Sequence, residues 1–129
     1  MQKTFGIIAA IYGALAVILG AFGAHALKEK LDSYSLEIFN KGVQYQFYHI
    51  AALIAVVFLA DKIQTKTLTF AGCFFSAGIV FFSGSLYLLA TRSLTGFDAL
   101  TPVLGPITPI GGLCFIIGWI LLLISFIKL

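Results

Sequence analysis

The charged side chains of this sequence fall in clusters, leaving four long uncharged runs: Thr4–Leu27, Gly42–Ala60, Thr67–Thr91 and Ala99–Ile127. That punctuation constrains the fold more than any motif does. An α-helix rises 1.5 Å per residue, so about 20 residues cross a hydrocarbon core ~30 Å thick. Each run is long enough, the second near the minimum and the fourth with a loop included at its start. A soluble fold has no room for such runs. The 129 residues are 60 % hydrophobic and 10 % charged, with a mean hydropathy of +1.07. Ordinary soluble domains are about 45–50 % apolar and about 25 % charged, and small ones bury only about 60–70 % of their surface. A soluble enzyme, a nucleic-acid binder and a disordered tail are excluded on this ground. A membrane β-barrel would alternate apolar and polar residues in ~10-residue segments, whereas these runs are continuous.

The expected fold is therefore all-α and integral to the membrane: one domain, residues 1–129, of four transmembrane helices in a compact bundle. The spans are expected at about 4–27, 42–60, 67–90 and 107–127. Pro102, Gly105, Pro106 and Pro109 read as a loop, which starts the last helix near Thr108. Between the first two spans, Leu27, Leu31, Tyr34 and Ile38 recur at helical spacing, with Asp32 or Ser33 as a cap. Two readings stand side by side there: a short interfacial helix at about 32–41, and a helical extension of the second span. The first run imitates a signal peptide, with Lys3 ahead of it and Ala24-His25-Ala26 at its end. Its apolar stretch is longer than a usual signal core, so it is expected as a retained helix.

Orientation is nearly balanced. Lys3, Lys62, Lys66 and Lys128 fall on one side, and Lys28, Lys30, Lys41 and Arg92 on the other. The positive-inside rule returns a tie. The tight Asp61–Lys66 connection carries two lysines, which leans towards both termini in the cytoplasm. Cys73 and Cys114 enter their spans from opposite sides and are expected not to pair, since a disulfide needs Cα atoms within ~7 Å.

If the helices alternate in direction, four helix ends share one leaflet: Gly20–His25, Gln44–His49, Ser83–Tyr87 and Thr108–Gly112. They gather His25, Gln44, Tyr45, Gln46, His49, Ser83, Ser85, Tyr87 and Thr108, the candidate ligand-binding cluster. The other leaflet has little comparable: Thr4, Tyr12, Thr69, Ser76 and Ser125. An unpaired polar side chain in hydrocarbon costs several kcal/mol, so the cluster is expected to face inward, with Gly42, Gln46 and His49 on one face of the second helix. Small residues form stripes at helical spacing: Ala9, Gly13, Ala16, Gly20 and Ala24 on helix one, and Gly72, Ser76, Ser83 and Tyr87 on helix three, with Val80 filling a gap. Helix four carries Gly111, Cys114, Gly118 and Ser125. Such stripes let helix backbones approach closely, within a bundle or between copies.

Four segments in order, GAFGAHAL, VQYQFYH, FSGSLYLL and GPITPIGG, resemble the YgdD/YwdK-type family of small bacterial membrane proteins, catalogued as domain of unknown function 423. The resemblance covers essentially the whole chain. It implies a four-span protein of the bacterial inner membrane with cytoplasmic termini and no established activity. It carries over no catalytic residue. Its signature residues here are Gly20, Gly23, His25, Tyr45, Gln46, His49, Ser83, Gly84, Ser85, Tyr87, Thr108, Pro109, Gly111 and Gly112, at the same polar end.

Two histidines without a neighbouring carboxylate or thiolate make an incomplete metal site, so no cofactor is expected and metal binding stays open. Ser83 or Ser85 with a histidine lacks an acid to orient the base, because Glu29, Asp32, Glu37, Asp61 and Asp98 all lie at the edges of the spans. The leading expectation is a non-enzymatic membrane protein whose polar cluster binds a lipid, a small ligand or a protein partner. The alternative is a subunit of an oligomeric small-solute or ion transporter. Membrane lipids and a second copy of the chain are the expected partners. A net charge of +3 gives no case for nucleic acid.

Overall fold

The structure is a computed structural model that describes every residue from Met1 to Leu129. It runs α1 (Gln2–His25), α2 (Ser33–Ala60), α3 (Lys66–Gly78), a π-helical turn (Ile79–Ser83), α4 (Gly84–Ala90), α5 (Arg92–Thr95), a 3₁₀ turn (Phe97–Leu100) and α6 (Thr101–Ile127). The α3, π and α4 segments form one rod, Lys66–Ala90. That rod, α1, α2 and the helical stretch ending in α6 are each long and apolar enough to cross a membrane.

Of the two readings for residues 32–41, the structure shows the helical extension. Asp32 has extended backbone and its carboxylate accepts the Ser35 N–H at 2.7 Å, capping α2 at its start. That bond holds the Asp32 carboxyl below the ordinary carboxylate range. The apolar face does not lie on the bilayer. Phe39 is buried and packs with Leu27, Leu31 and Ala90 in a small satellite core. The end of α1 and the connection behind it cover Phe39 and partly cover Ile38, while Tyr34 stays 68 % exposed.

The expected loop around Pro102, Gly105, Pro106 and Pro109 is also corrected. These residues belong to α6, which begins at Thr101 rather than near Thr108. Pro102 sits in the first turn, where the missing N–H is not needed. Pro106 and Pro109 each remove one helical donor, yet a membrane penalises open backbone so strongly that spans keep such residues helical. The Thr108 hydroxyl bonds back to the Leu104 carbonyl at 3.3 Å, adding a side-chain donor within the proline-rich turn.

The rod is the middle of the bundle: α1 packs on α2, α2 on the rod, and the rod on α6. The main core lies between them, with Leu53, Val56, Leu68, Ala71 and Phe75 fully or almost fully buried. In lipid such packing gains little from the hydrophobic effect and rests on close van der Waals contact. The small-residue stripes hold in part. Ala9 and Ala16 are buried, but Ala24 is exposed and Gly13 has nothing near it; Gly23, under the Phe39 ring, is the close contact instead. On the rod, Ile79 rather than Val80 fills the gap, and Val80 is exposed at 53 %. Cys73 and Cys114 are both free.

Candidate functional site

Gln46 lies on the inward face of α2 and joins three helices. Its Nε2 donates to the Tyr12 carbonyl of α1 at 2.8 Å. Its Oε1 accepts the Tyr87 hydroxyl of α4 at 2.6 Å. Depth counting assigned Tyr12 to the opposite leaflet; the structure brings its carbonyl into the cluster, which therefore reaches further into the bilayer than one helix end.

The two serines bond in different directions because the rod has protein on both sides. Ser83 donates to the Gly42 carbonyl of α2 at 2.7 Å. Ser85, two residues and about 200° further round, meets the Thr108 hydroxyl of α6 at 2.6 Å and the Phe82 carbonyl at 2.9 Å. The π turn lies directly before this pair: the Gly84 N–H bonds to Ile79, five residues back. Such single turns are frequent at functional sites, and this one coincides with the tightest packing at any glycine of the chain. A Cβ on Gly111 would strike the backbone nitrogen and Cα of Phe82.

His49 is held at both ring nitrogens. Its Nδ1 lies 2.6 Å from the Tyr45 carbonyl, and the Trp119 indole N–H points at its Nε2 from 3.2 Å. A carbonyl only accepts and an indole only donates, so Nδ1 carries the proton and Nε2 presents its lone pair. The ring is the neutral tautomer, held at both ends, and stacks on Phe115 with centroids 3.4 Å apart and planes 6° apart. A metal on Nε2 would have to displace Trp119. No three His, Cys, Asp or Glu side chains converge elsewhere.

His49 and the rings around it line one side of a cleft of about 520 Å³, whose walls include Tyr45, Phe82, Phe115 and Trp119, with Pro109 and Gly112 at one end. The cleft opens sideways, between α2, the π turn and α6. His49 stands eight residues after Lys41 and Trp119 nine before Lys128, about 12 and 13 Å of helix rise respectively. The cleft therefore sits about midway between the charged ends of the bundle.

Gln46 pairs with Tyr87, Ser85 with Thr108 and the Tyr45 ring with His49, and Ser83 joins α2 through the Gly42 carbonyl, so these seven candidates take part in contacts within the bundle. His25 and Gln44 do not. Both are exposed: Gln44 is two residues from Gln46 and faces the opposite side of α2, and His25 bears the same relation to buried Gly23 on α1. Depth alone had grouped them, and depth carries no information about helix face. Sequence reasoning missed Trp119, Phe115 and Phe82. The available signal was position: a tryptophan nine residues from the last lysine is too deep for an interfacial anchor, and it lies four residues from Phe115 on the same helix face.

These features define a multi-pass helical membrane protein whose rods are tied by side-chain-to-backbone hydrogen bonds around an aromatic cleft. The chain belongs to the family described as "Protein of unknown function (DUF423)", which it matches over residues 19–112. It is 46 % identical over 128 residues to the UPF0382 membrane protein YwdK of Bacillus subtilis (strain 168), covering 98 % of each chain. It is 43 % identical over 127 residues to a UPF0382 membrane protein of Staphylococcus epidermidis, again covering 98 % of each. No solved structure matches the chain. The matched stretch contains the hydrogen-bonded groups from Gln46 to Thr108 and stops short of Phe115 and Trp119.

Proposed function

We propose that this protein is a non-catalytic membrane protein that takes a small apolar ligand from the bilayer into the cleft beside His49. The observation that carries the reading is the cleft itself: aromatic-walled, open to the side, and about midway between the charged ends of the bundle, where only lipid-soluble molecules arrive. The polar cluster then has a mechanical role. Gln46 and Ser83 donate to neighbouring helices, Ser85 shares a hydrogen bond with Thr108 of α6, and His49 donates to Tyr45 of its own helix while accepting from Trp119 of α6, which fixes the walls. Preformed pockets bind with less ordering cost.

Trp119 is the only tryptophan, so its emission reports the cleft alone. Titrating the protein in nanodiscs with bromonaphthalene, an apolar aromatic quencher, is expected to give saturable quenching. Ile116→Phe narrows the cleft at a residue 58 % exposed, so the fold tolerates it, and is expected to leave only linear quenching. Linear quenching of the unaltered protein would sink the reading.

We further propose both termini in the cytoplasm of a bacterial inner-membrane protein, on the two lysines of the tight Asp61–Lys66 connection. A C-terminal fluorescent-protein fusion is expected to glow and a C-terminal alkaline phosphatase fusion to be inactive; the reverse pattern inverts the topology.

A further inference from the structure

A second crevice, of about 330 Å³, lies at the end of the bundle where α1, the connection to α2, and the α4–α5 corner meet. Leu27 and Phe39 form its floor. Phe22 and Leu94 form its sides and remain exposed at 51 % and 48 %. Its one charged lining residue is Lys30. The depth is set by the surrounding charges: Lys28, Lys30, Lys41 and Arg92 place this end at the headgroup level rather than in hydrocarbon.

The local polar groups differ in what they have left to offer. The Thr91 and Thr95 hydroxyls donate to the Tyr87 and Thr91 carbonyls at 2.7 and 3.0 Å, so neither has a proton to spare. Arg92 donates to the Leu89 carbonyl at 3.1 Å and forms the molecule's one ion pair, with Asp98 at 3.7 Å. Lys30 has no acidic partner. An apolar trough beside an ammonium that forms no ion pair, at the membrane surface, is complementary to an anionic amphiphile.

We propose that this crevice seats an anionic phospholipid, one acyl chain lying against Phe22, Phe39 and Leu94 and the phosphate meeting the Lys30 ammonium. Recognition rests on charge, since the Thr91 and Thr95 hydroxyls have no proton left to donate to a phosphate or headgroup oxygen. This site is separate from the His49 cleft and does not depend on it.

Native mass spectrometry tests the assignment, using purified protein incubated with equal amounts of phosphatidylglycerol and phosphatidylcholine. The unaltered protein is expected to retain one phosphatidylglycerol with about fivefold preference, the factor one basic residue gives near an anionic surface. Lys30→Gln, at an exposed position that does not threaten the fold, is expected to abolish the preference, and Lys30→Arg to keep it. Leu94→Trp is expected to lower retention of both lipids by filling the trough. Equal retention of the two lipids by the unaltered protein, or an undiminished preference in Lys30→Gln, overturns the proposal. Unchanged retention in Leu94→Trp overturns the seating of the chain.

Discussion

Replacing Gly111 by valine is expected to separate α6 from the rod and to cost at least about 3 kcal/mol, at or beyond the top of the range for overpacking. At this position even a Cβ meets the backbone nitrogen and Cα of Phe82, and backbone cannot rotate out of the way as a side chain can. Moving α6 outward also parts Ser85 from Thr108 and opens the Phe82–Phe115 pair, whose centroids are 5.4 Å apart. The neighbouring glycine is an internal control. A Cβ on Gly112 has nothing closer than the Phe82 ring at 3.8 Å, so Gly112→Ala is expected to stay within about 0.5 kcal/mol of the unaltered protein. Unfolding both variants in mixed detergent micelles, followed by circular dichroism, makes the comparison. Equal stability of Gly111→Val and Gly112→Ala would show that the helix approach is looser than described.

The second large effect is expected at His49. His49→Ala removes the acceptor of the half-exposed Trp119 indole and the buried ring stacked on Phe115, leaving a void beside Phe115. The expected loss is about 2–4 kcal/mol, chiefly from the truncation cavity. His49→Phe keeps the stack and loses only the acceptor, so its loss is expected to be about half as large. Trp119 emission separates the two causes, because the indole loses its hydrogen bond in both variants while the ring stack is lost only in the alanine variant. If His49→Ala unfolds at the same detergent ratio as the unaltered protein, the imidazole is not holding the bundle. A metal role for His49 makes a contrary prediction, since it requires Trp119 to be dispensable for the fold.

The rest of the cluster obeys the same logic at smaller scale. Hydrogen bonds between helices in membranes average about 0.6 kcal/mol and reach about 1.7. Gln46 makes two of them, to α1 and α4, so it contributes more to the relative placement of helices than any single serine. This also explains how so polar a set of side chains can sit inside a bilayer. They bond either across to a neighbouring helix, as Gln46 and Ser83 do, or back to their own helix, as His49 and Ser125 do, and no buried side-chain nitrogen or oxygen is left without a partner.

The four runs between charges determined the helix number, the class of protein and the leaflet in which most polar groups meet. Counting apolar length is a physical measurement of the membrane, so it survives without knowledge of packing. Helix ends were less legible. Pro102, Pro106 and Pro109 carry a stop signal learned from water, where an open carbonyl can be hydrated; in lipid the same residues stay inside α6. Residues 32–41 read equally well as interfacial helix or extension, because their apolar face is the same in both. Only the docking of Phe39 against the end of α1 separates the two.

Tertiary structure alone decided which polar residues belong to the site. Gln44 lies beside Gln46 in depth but on another face of α2, and His25 is the exposed last residue of α1; the rotation of a helix about its axis is set by the neighbours it packs on. The π turn at Ile79–Ser83, which comes just before the serines that bond to α2 and α6, leaves no mark in a hydropathy pattern. Trp119 meets His49 across 70 residues of chain, and nothing local foretells such a contact. The uncharged runs fix where each helix lies along the membrane normal, because solvation acts on every residue separately. The cleft and its clasp depend on relations between helices, and those exist only once the bundle has closed.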